Sequence, residues 1–288
     1  LQKLNHAIFA EKGVDADMLR LDKLHPEISG NKWFKLKYHL HKAKERSNNG
    51  IITTGGPYSN HLIATAAACA QQGLKSVAIV PARFDPHNHT LSRLRELEMH
   101  LVFCKRQELD DTIRKTQQEF PDYLYVPAGG ESDDGVRGAS EILQFDGASD
   151  YTHIICAAGT GTTVAGLATQ LQPHQLLVAI PVLKFPDTVS NSIYNLINRY
   201  APDKSVRLIW DYHFGGYARY TEELLEFMND TYTVHEIPTD FVYTAKMLYA
   251  ALDMVKKDQF LPGARLLLIH TGGLQGNRSL SAGSILFM

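Results

Sequence analysis

The stretch EISGNKWFKLKYHLHKAK, residues 27–44, places Lys32 directly after Ser29, Gly30 and Asn31, at the head of a helix-like run. Glycine carries no Cβ and lets other groups come close, and asparagine is a helix-cap type. A lysine there is either one more solvated cation, as most lysines are, or an amine held for chemistry. Burial favours the second use, because desolvation lowers an amine's pKa and frees it to act as nucleophile or base.

Other stretches carry chemistry of a complementary kind. AAGTGTTVAGL, residues 157–167, reads as strand, glycine loop, helix. The backbone N–H groups around Gly159, Thr160, Gly161, Thr162 and Thr163, with the threonine hydroxyls and a helix N-terminus, suit a phosphate. The spacing fits neither Walker A nor a clean GxGxxG, and a plain turn of small residues is the bland alternative. GGPYSNH, residues 55–61, sets Ser59 and Asn60 at a helix start. They suit simple capping and equally a carboxylate cradle of hydroxyl, amide and helix N–H. GGY at 215–217 and VYT at 242–244 bring Tyr217 and Tyr243 close to strand ends, although a lone tyrosine is more often a packing residue. HTGG at 270–273 closes the last apolar run with the hydroxyl of Thr271.

These residues need elements to hold them. Apolar runs rich in Val, Ile and Leu recur: GIITTGG, SVAIVPA, HLVFCK, YLYVPAGG, HIICAAGTG, LLVAIPVL, VRLIWDYHF and LLLIHTGG. They lack polar alternation, as strands buried on both faces do. Between them lie helical stripes, such as Trp33, Leu36, Leu40 and Ala43, and the run NHLIATAAACAQQG that stops at Gly73. Strand alternating with helix implies an α/β fold with open parallel sheets. Ligands of such folds bind beyond the carboxyl ends of the strands, where the glycine pairs fall.

Composition narrows the classes. The chain has 288 residues, 44% hydrophobic and 21% charged, with a net charge of −2, and its pI is about 6.7. That balance suits a soluble enzyme or binding protein and gives no electrostatic footprint for nucleic acid. No apolar run reaches the roughly 18 residues of a membrane span. The N-terminal stretch LQKLNHAIFAEKG has no secretory pattern. Cys69, Cys104 and Cys156 are scattered in apolar contexts, like reduced core thiols. The 13 histidines include the pairs His39/His41 and His87/His89, but no Cys or carboxylate pattern completes a metal site. A cytoplasmic protein without metal is the expectation.

Taken together, SGNKWFKLKY, GGPYSNH, AAGTGTTVAGL, VYTAKM and HTGG resemble, in order, the landmarks of the 1-aminocyclopropane-1-carboxylate (ACC) deaminase/D-cysteine desulfhydrase family. The resemblance implies pyridoxal 5′-phosphate (PLP) and two open parallel-sheet α/β domains of the tryptophan-synthase-β type. Residues 1–35 and 145–288 would form the large PLP-binding domain and 36–144 the smaller one. It further implies a homodimer acting on a small amino acid. By position, Lys32 would carry PLP as a Schiff base and move the substrate's α-proton. Ser59 would hold the substrate carboxylate, Asn60 the cofactor's 3′-oxygen, and Gly159 to Thr163 the phosphate. Tyr217 and Tyr243 would be the two active-site tyrosines.

Thr244 and Thr271 bear on the reaction. ACC deaminases carry Glu and Leu at the matching positions, whereas threonine at both is the D-cysteine desulfhydrase pattern. A carboxylate beside the pyridine nitrogen favours its protonated form, and a hydroxyl does so less. The expectation is α,β-elimination from D-cysteine to pyruvate, ammonia and hydrogen sulfide. The alternatives are ACC deamination, a β-replacement synthase of the same fold, and a non-catalytic PLP- or nucleotide-binding protein. Phe34, where the family has Arg, and Tyr58, where it often has Gln, depart from the pattern and leave the substrate open.

Overall fold

The computed structural model describes residues 1–83, 85, 87–184 and 186–287. Ten strands are present among them: β1 (Gln2–Lys3), β2 (Asp15–Arg20), β3 (Gly50–Thr54), β4 (Lys75–Val80), β5 (His100–Phe103), β6 (Tyr123–Val126), β7 (His153–Ala158), β8 (Leu176–Pro181), β9 (Val206–Leu208) and β10 (Arg265–His270). The helices are α1 (Ala7–Glu11), α2 (Asn31–Glu45), α3 (Asn60–Gln71), α4 (His89–Glu96), α5 (Leu109–Glu119), α6 (Asp133–Ser140), α7 (Thr162–Thr169), α8 (Pro186–Tyr200), α9 (Glu222–His235) and α10 (Thr244–Lys256).

The strands form two sheets. One has the order β1-β2-β10-β7-β8-β9 and the other β5-β4-β3-β6. Every pairing is parallel except that of β1 with β2. The central strands are buried on both faces, as their unbroken apolar runs require. On one face of the larger sheet Met18, Ile155, Val178 and Leu268 pack with Met247 and Ala251 of α10. On the other, Ile154, Ala179 and Leu267 pack with Val164 and Leu167 of α7. The smaller sheet has its own cores, one built on Leu36, Ile51 and Ala67, another on Leu62, Ala78 and Leu94. Among the described residues no helix is long and apolar enough to cross a membrane.

Two readings of the apolar pattern shift. β2, sequence DADMLR, alternates buried residues with exposed or half-buried ones, so it carries no unbroken apolar run. The run VRLIWDYHF contains only a three-residue strand. Beyond it the chain turns repeatedly, and Phe214, Gly215, Gly216 and Ala218 all have positive φ. In the Trp33 stripe, Leu36, Leu40 and Ala43 are buried but Trp33 is exposed, its ring stacked on His25 at 5.9 Å. α3 ends as its sequence suggests, with Gly73 at φ +69 just beyond Gln72.

Small residues join the helices that bear the site. A Cβ on Gly138 of α6 would lie 2.0 Å from the Phe34 carbonyl oxygen of α2. One on Gly166 of α7 would lie 2.5 Å from Cβ of Ala139. Helix α6 therefore packs at backbone distance on both α2 and α7, which ties the Lys32 helix to the helix of the glycine loop.

Candidate active site

The carboxyl ends of β3, β7 and β10 converge on two adjoining cavities, of about 70 and 390 Å³. Lys32, Asn60, Gly159, Thr160 and Tyr243 line both. The inner one also takes in Asn31, Lys35, Gly161 to Thr163 and Thr271. The outer one takes in Thr54, Tyr58, Ser59, His61, Arg106 and Tyr217. Among the described residues, neither is lined by Asp or Glu.

Lys32 is placed by the contact of two loops. Gly30, at φ +66, lies so close to the end of β10 that a Cβ on it would sit 1.7 Å from the Thr271 carbonyl oxygen. That same carbonyl accepts from the Asn31 N–H at 2.9 Å. The Asn31 side chain then joins two parts of the site. Its Oδ1 accepts from Lys32 Nζ at 2.8 Å, and its Nδ2 donates to Thr163 Oγ1 at 2.9 Å. Burial lowers the Lys32 pKa to about 8, against the opposing pull of Asp240. An appreciable part of the amine is thus unprotonated near neutral pH, the state a nucleophile or base needs.

The loop after β7 has the form of an anion cradle. Gly161 sits at φ +94 as the N-cap of α7, and Thr160 Oγ1 lies 3.1 Å from Thr162 Oγ1. Lys35, one turn beyond Lys32, is buried and faces this cavity. Its ammonium has no hydrogen-bond partner among the described residues. Burial first, and the charge of Lys32 second, push its pKa well below the ordinary lysine value. A buried amine without a hydrogen-bond partner among the described residues, on a cavity that also holds a glycine loop at a helix N-terminus, suits a phosphate, whose charge would favour the ammonium form.

Ser59 serves as the N-cap of α3, its Oγ accepting from the N–H groups of His61 and Leu62 at 3.2 and 3.3 Å. Among the described residues nothing accepts its own O–H, and Ser59 lines the outer cavity. Asn60 spans the gap between the sheets. It donates to the Gly273 carbonyl at 3.3 Å and accepts from the Gln275 N–H at 3.0 Å. Its Nδ2 retains a second hydrogen. Tyr217 and Tyr243 meet edge to face, with centroids 6.2 Å apart. Tyr217 is 55% exposed and forms the outer wall. Burial, and then Tyr217, hold the Tyr243 phenol well above its ordinary pKa.

Thr271 lines the inner cavity. Thr244 is fully buried and lies behind the cavities. Its hydroxyl donates to Oδ1 of Asp240 at 2.7 Å and accepts from the Asp240 N–H at 2.7 Å. Asp240 also receives the N–H groups of Val242, Tyr243 and Thr244 at 3.0, 2.9 and 3.0 Å.

Lys35, Asn31, Asp240 and His61 are site residues that sequence reasoning did not single out. Two of them carried a faint signal, Lys35 from its i+3 spacing to Lys32 and Asp240 as a cap type just ahead of a helix. His61 is buried and orders its own tautomer. Thr53 O–H donates to the Val126 carbonyl at 2.7 Å, so its oxygen accepts from His61 Nε2 at 2.8 Å. Nδ1 is then unprotonated, and it has no partner among the described residues.

An amine of lowered pKa beside an anion cradle, at the strand ends of two parallel sheets, defines a PLP enzyme of the tryptophan-synthase-β-like fold. The chain belongs to the pyridoxal-phosphate dependent enzyme family, whose model matches residues 5–272. It is 29% identical, over 87% of its length and 70% of the other's, to a bifunctional D-cysteine desulfhydrase/ACC deaminase of Arabidopsis thaliana. A Pyrococcus horikoshii protein provisionally named an ACC deaminase is 29% identical, covering 93% of this chain and 87% of that one. Among solved structures, an ACC deaminase homologue superposes with a TM-score of 0.82 at 27% identity, over 96% of this chain and 89% of that one. The fold extends to more distant relatives, such as an aspartate racemase at 15% identity and a TM-score of 0.72, covering 98% of this chain and 89% of that one.

Proposed function

We propose that this chain is a D-cysteine desulfhydrase-like lyase, converting D-cysteine and water to pyruvate, ammonia and hydrogen sulfide. The observation that carries the proposal is the Lys32 amine, its pKa lowered to about 8, between an anion cradle on one side and Ser59 at the α3 N-terminus on the other. When bound, PLP supplies the electron sink for the pair left behind at the substrate α-carbon.

The protein's own groups do the rest. The N–H groups of Gly159 to Thr163 and the ammonium of Lys35 hold the phosphate. The Ser59 hydroxyl and the first N–H groups of α3 take the substrate carboxylate. The Lys32 amine removes the α-proton. That C–H pair becomes the Cα–Cβ double bond as the Cβ–S pair leaves with the sulfur. Tyr243, kept as a phenol by its raised pKa, donates a proton to the departing sulfide. The released aminoacrylate hydrolyses to pyruvate and ammonia. Among the described residues no carboxylate lines the cavities, which supports elimination of a good leaving group over opening of a cyclopropane ring.

ACC deamination is the second reading, favoured by the names of the relatives. A panel of D- and L-amino acids and ACC, assayed for keto-acid release by the purified holoenzyme, separates the two. Pyruvate and sulfide from D-cysteine, with little 2-oxobutyrate from ACC, is the expected result. Fast ACC turnover with no reaction of D-cysteine overturns it. The reading includes a homodimer, for which sedimentation analysis is the test.

A further inference from the structure

Lys246 lies one turn along α10 from Tyr243 and is completely buried. Among the described residues no carboxylate forms an ion pair with it. Its Nζ instead donates to two backbone carbonyls, His213 and Gly216, each at 2.8 Å. These carbonyls are not arbitrary acceptors. The His213 oxygen also accepts from the Gly216 N–H at 3.0 Å, and the Gly216 oxygen from the Arg219 N–H at 3.2 Å. Each closes one of two consecutive tight turns, and Tyr217 is the first central residue of the second.

The loop needs such a fastening. Phe214, Gly215, Gly216 and Ala218 all adopt positive φ, which Phe and Ala adopt at a cost. The loop follows a three-residue strand at the sheet edge, and Tyr217 at its tip is half exposed. A buried ammonium loses much solvation and persists only where its hydrogen bonds are made. The two carbonyls supply them, helped electrostatically by the Asp240 carboxylate that caps the start of α10.

We propose that Lys246 is a positioning residue that clamps both turns of the 213–219 loop to α10 and so fixes the Tyr217 ring against the Tyr243 ring over the substrate. The inference rests on the reading above, in which both tyrosines face the reacting amino acid. Lys246 itself touches neither cavity.

The test is a double-mutant cycle in the holoenzyme, with D-cysteine as substrate. Lys246→Met keeps the length and removes the donors. Lys246→Gln, which keeps one amide donor, serves if the Met variant does not fold. We expect kcat/KM to fall about tenfold or more in the otherwise wild-type protein, since misplacements on the order of 1 Å cost that much or more. In the Tyr217→Ala background the same substitution should cost less than about twofold, because residues acting as a unit are not additive. Equal falls in both backgrounds mean a merely structural lysine and overturn the proposal. Amide hydrogen exchange supplies a second readout. Residues 214–219 should exchange faster in the variant while β7 and β10 are unchanged. Unchanged exchange in the loop overturns the clamp whatever the kinetics. If the wild type turns over no amino acid but loop exchange quickens, the clamp stands and the catalytic reading of the tyrosines falls.

Discussion

The hydroxyl of Thr244 is bound to the buried carboxylate of Asp240, donating to Oδ1 at 2.7 Å. The position that distinguishes ACC deaminases by a glutamate is therefore, in this chain, part of a buried polar knot behind the cavities. Thr244→Glu would set a second carboxylate beside Asp240, where both positions are fully buried. We expect it to cost about 3 kcal/mol or more of stability, as uncompensated buried charge does, where Thr244→Val should cost about 1–3 kcal/mol for one unsatisfied partner. Urea unfolding of the two variants measures both. A Glu variant as stable as the wild type would mean that the glutamate turns into the cavity, toward the cofactor.

The lowered pKa of Lys32 has a definite sign. Above its pKa an amine is neutral and nucleophilic. At pH 8 about half of Lys32 should be in that form, against roughly 1% or less of an ordinary lysine with a pKa near 10.4. Competitive acylation of the cofactor-free protein across pH 6–11, read by mass spectrometry at each lysine, should show half-maximal reactivity of Lys32 near pH 8. A midpoint near 10.5 would show that the cavity does not desolvate the amine. Lys32→Ala should abolish turnover and leave the unfolding midpoint of the cofactor-free protein within error.

Lys35 presents the inner cavity with an amine that no hydrogen-bond partner among the described residues takes up. Lys35→Met keeps the length of the side chain and removes the ammonium. One charge-assisted hydrogen bond contributes about 1.5–3 kcal/mol, so PLP should bind roughly tenfold to a hundredfold more weakly. The cofactor-free variant should be at least as stable as the wild type, since an apolar side chain replaces a desolvated amine. Equal PLP affinity in equilibrium dialysis would place the phosphate away from Lys35.

Gly161 is limited both by conformation and by space. Its φ is +94, and a Cβ would come within 3.2 Å of Ile193 Cγ1 and 3.3 Å of Ile193 Cα. Gly161→Val should therefore disturb the loop at the N-terminus of α7 and lower PLP retention, while far-ultraviolet dichroism stays near that of the wild type. Full cofactor content after dialysis would show that the phosphate is held elsewhere.

Much of the site is legible in the order of residues, because its chemistry is local. The glycine-flanked lysine, the glycine loop and the Ser-Asn pair each occupy a few consecutive residues, at strand ends that the apolar runs mark. Parallel strands buried on both faces betray themselves by composition, so the α/β class is legible too. Where burial is one-sided, as in β2, or where the chain turns under positive φ, as at 213–219, the same rule misreads the chain. The tertiary structure alone decided which polar groups face which. Lys35 and Lys32 have the same charge and sit on one helix, yet only the packing of α2 on α6, and of α6 on α7, brings Lys35 to the cavity of the glycine loop. Asp240 lies far along the chain from the Lys32 amine whose charged form it favours, and Lys246 is 33 and 30 positions from the two carbonyls that it binds. Residue type and spacing report the bonding capacity of a side chain. Whether that capacity is met, and by what, depends on desolvation and on neighbours brought from elsewhere in the chain, and those exist only once the two sheets have closed around the site.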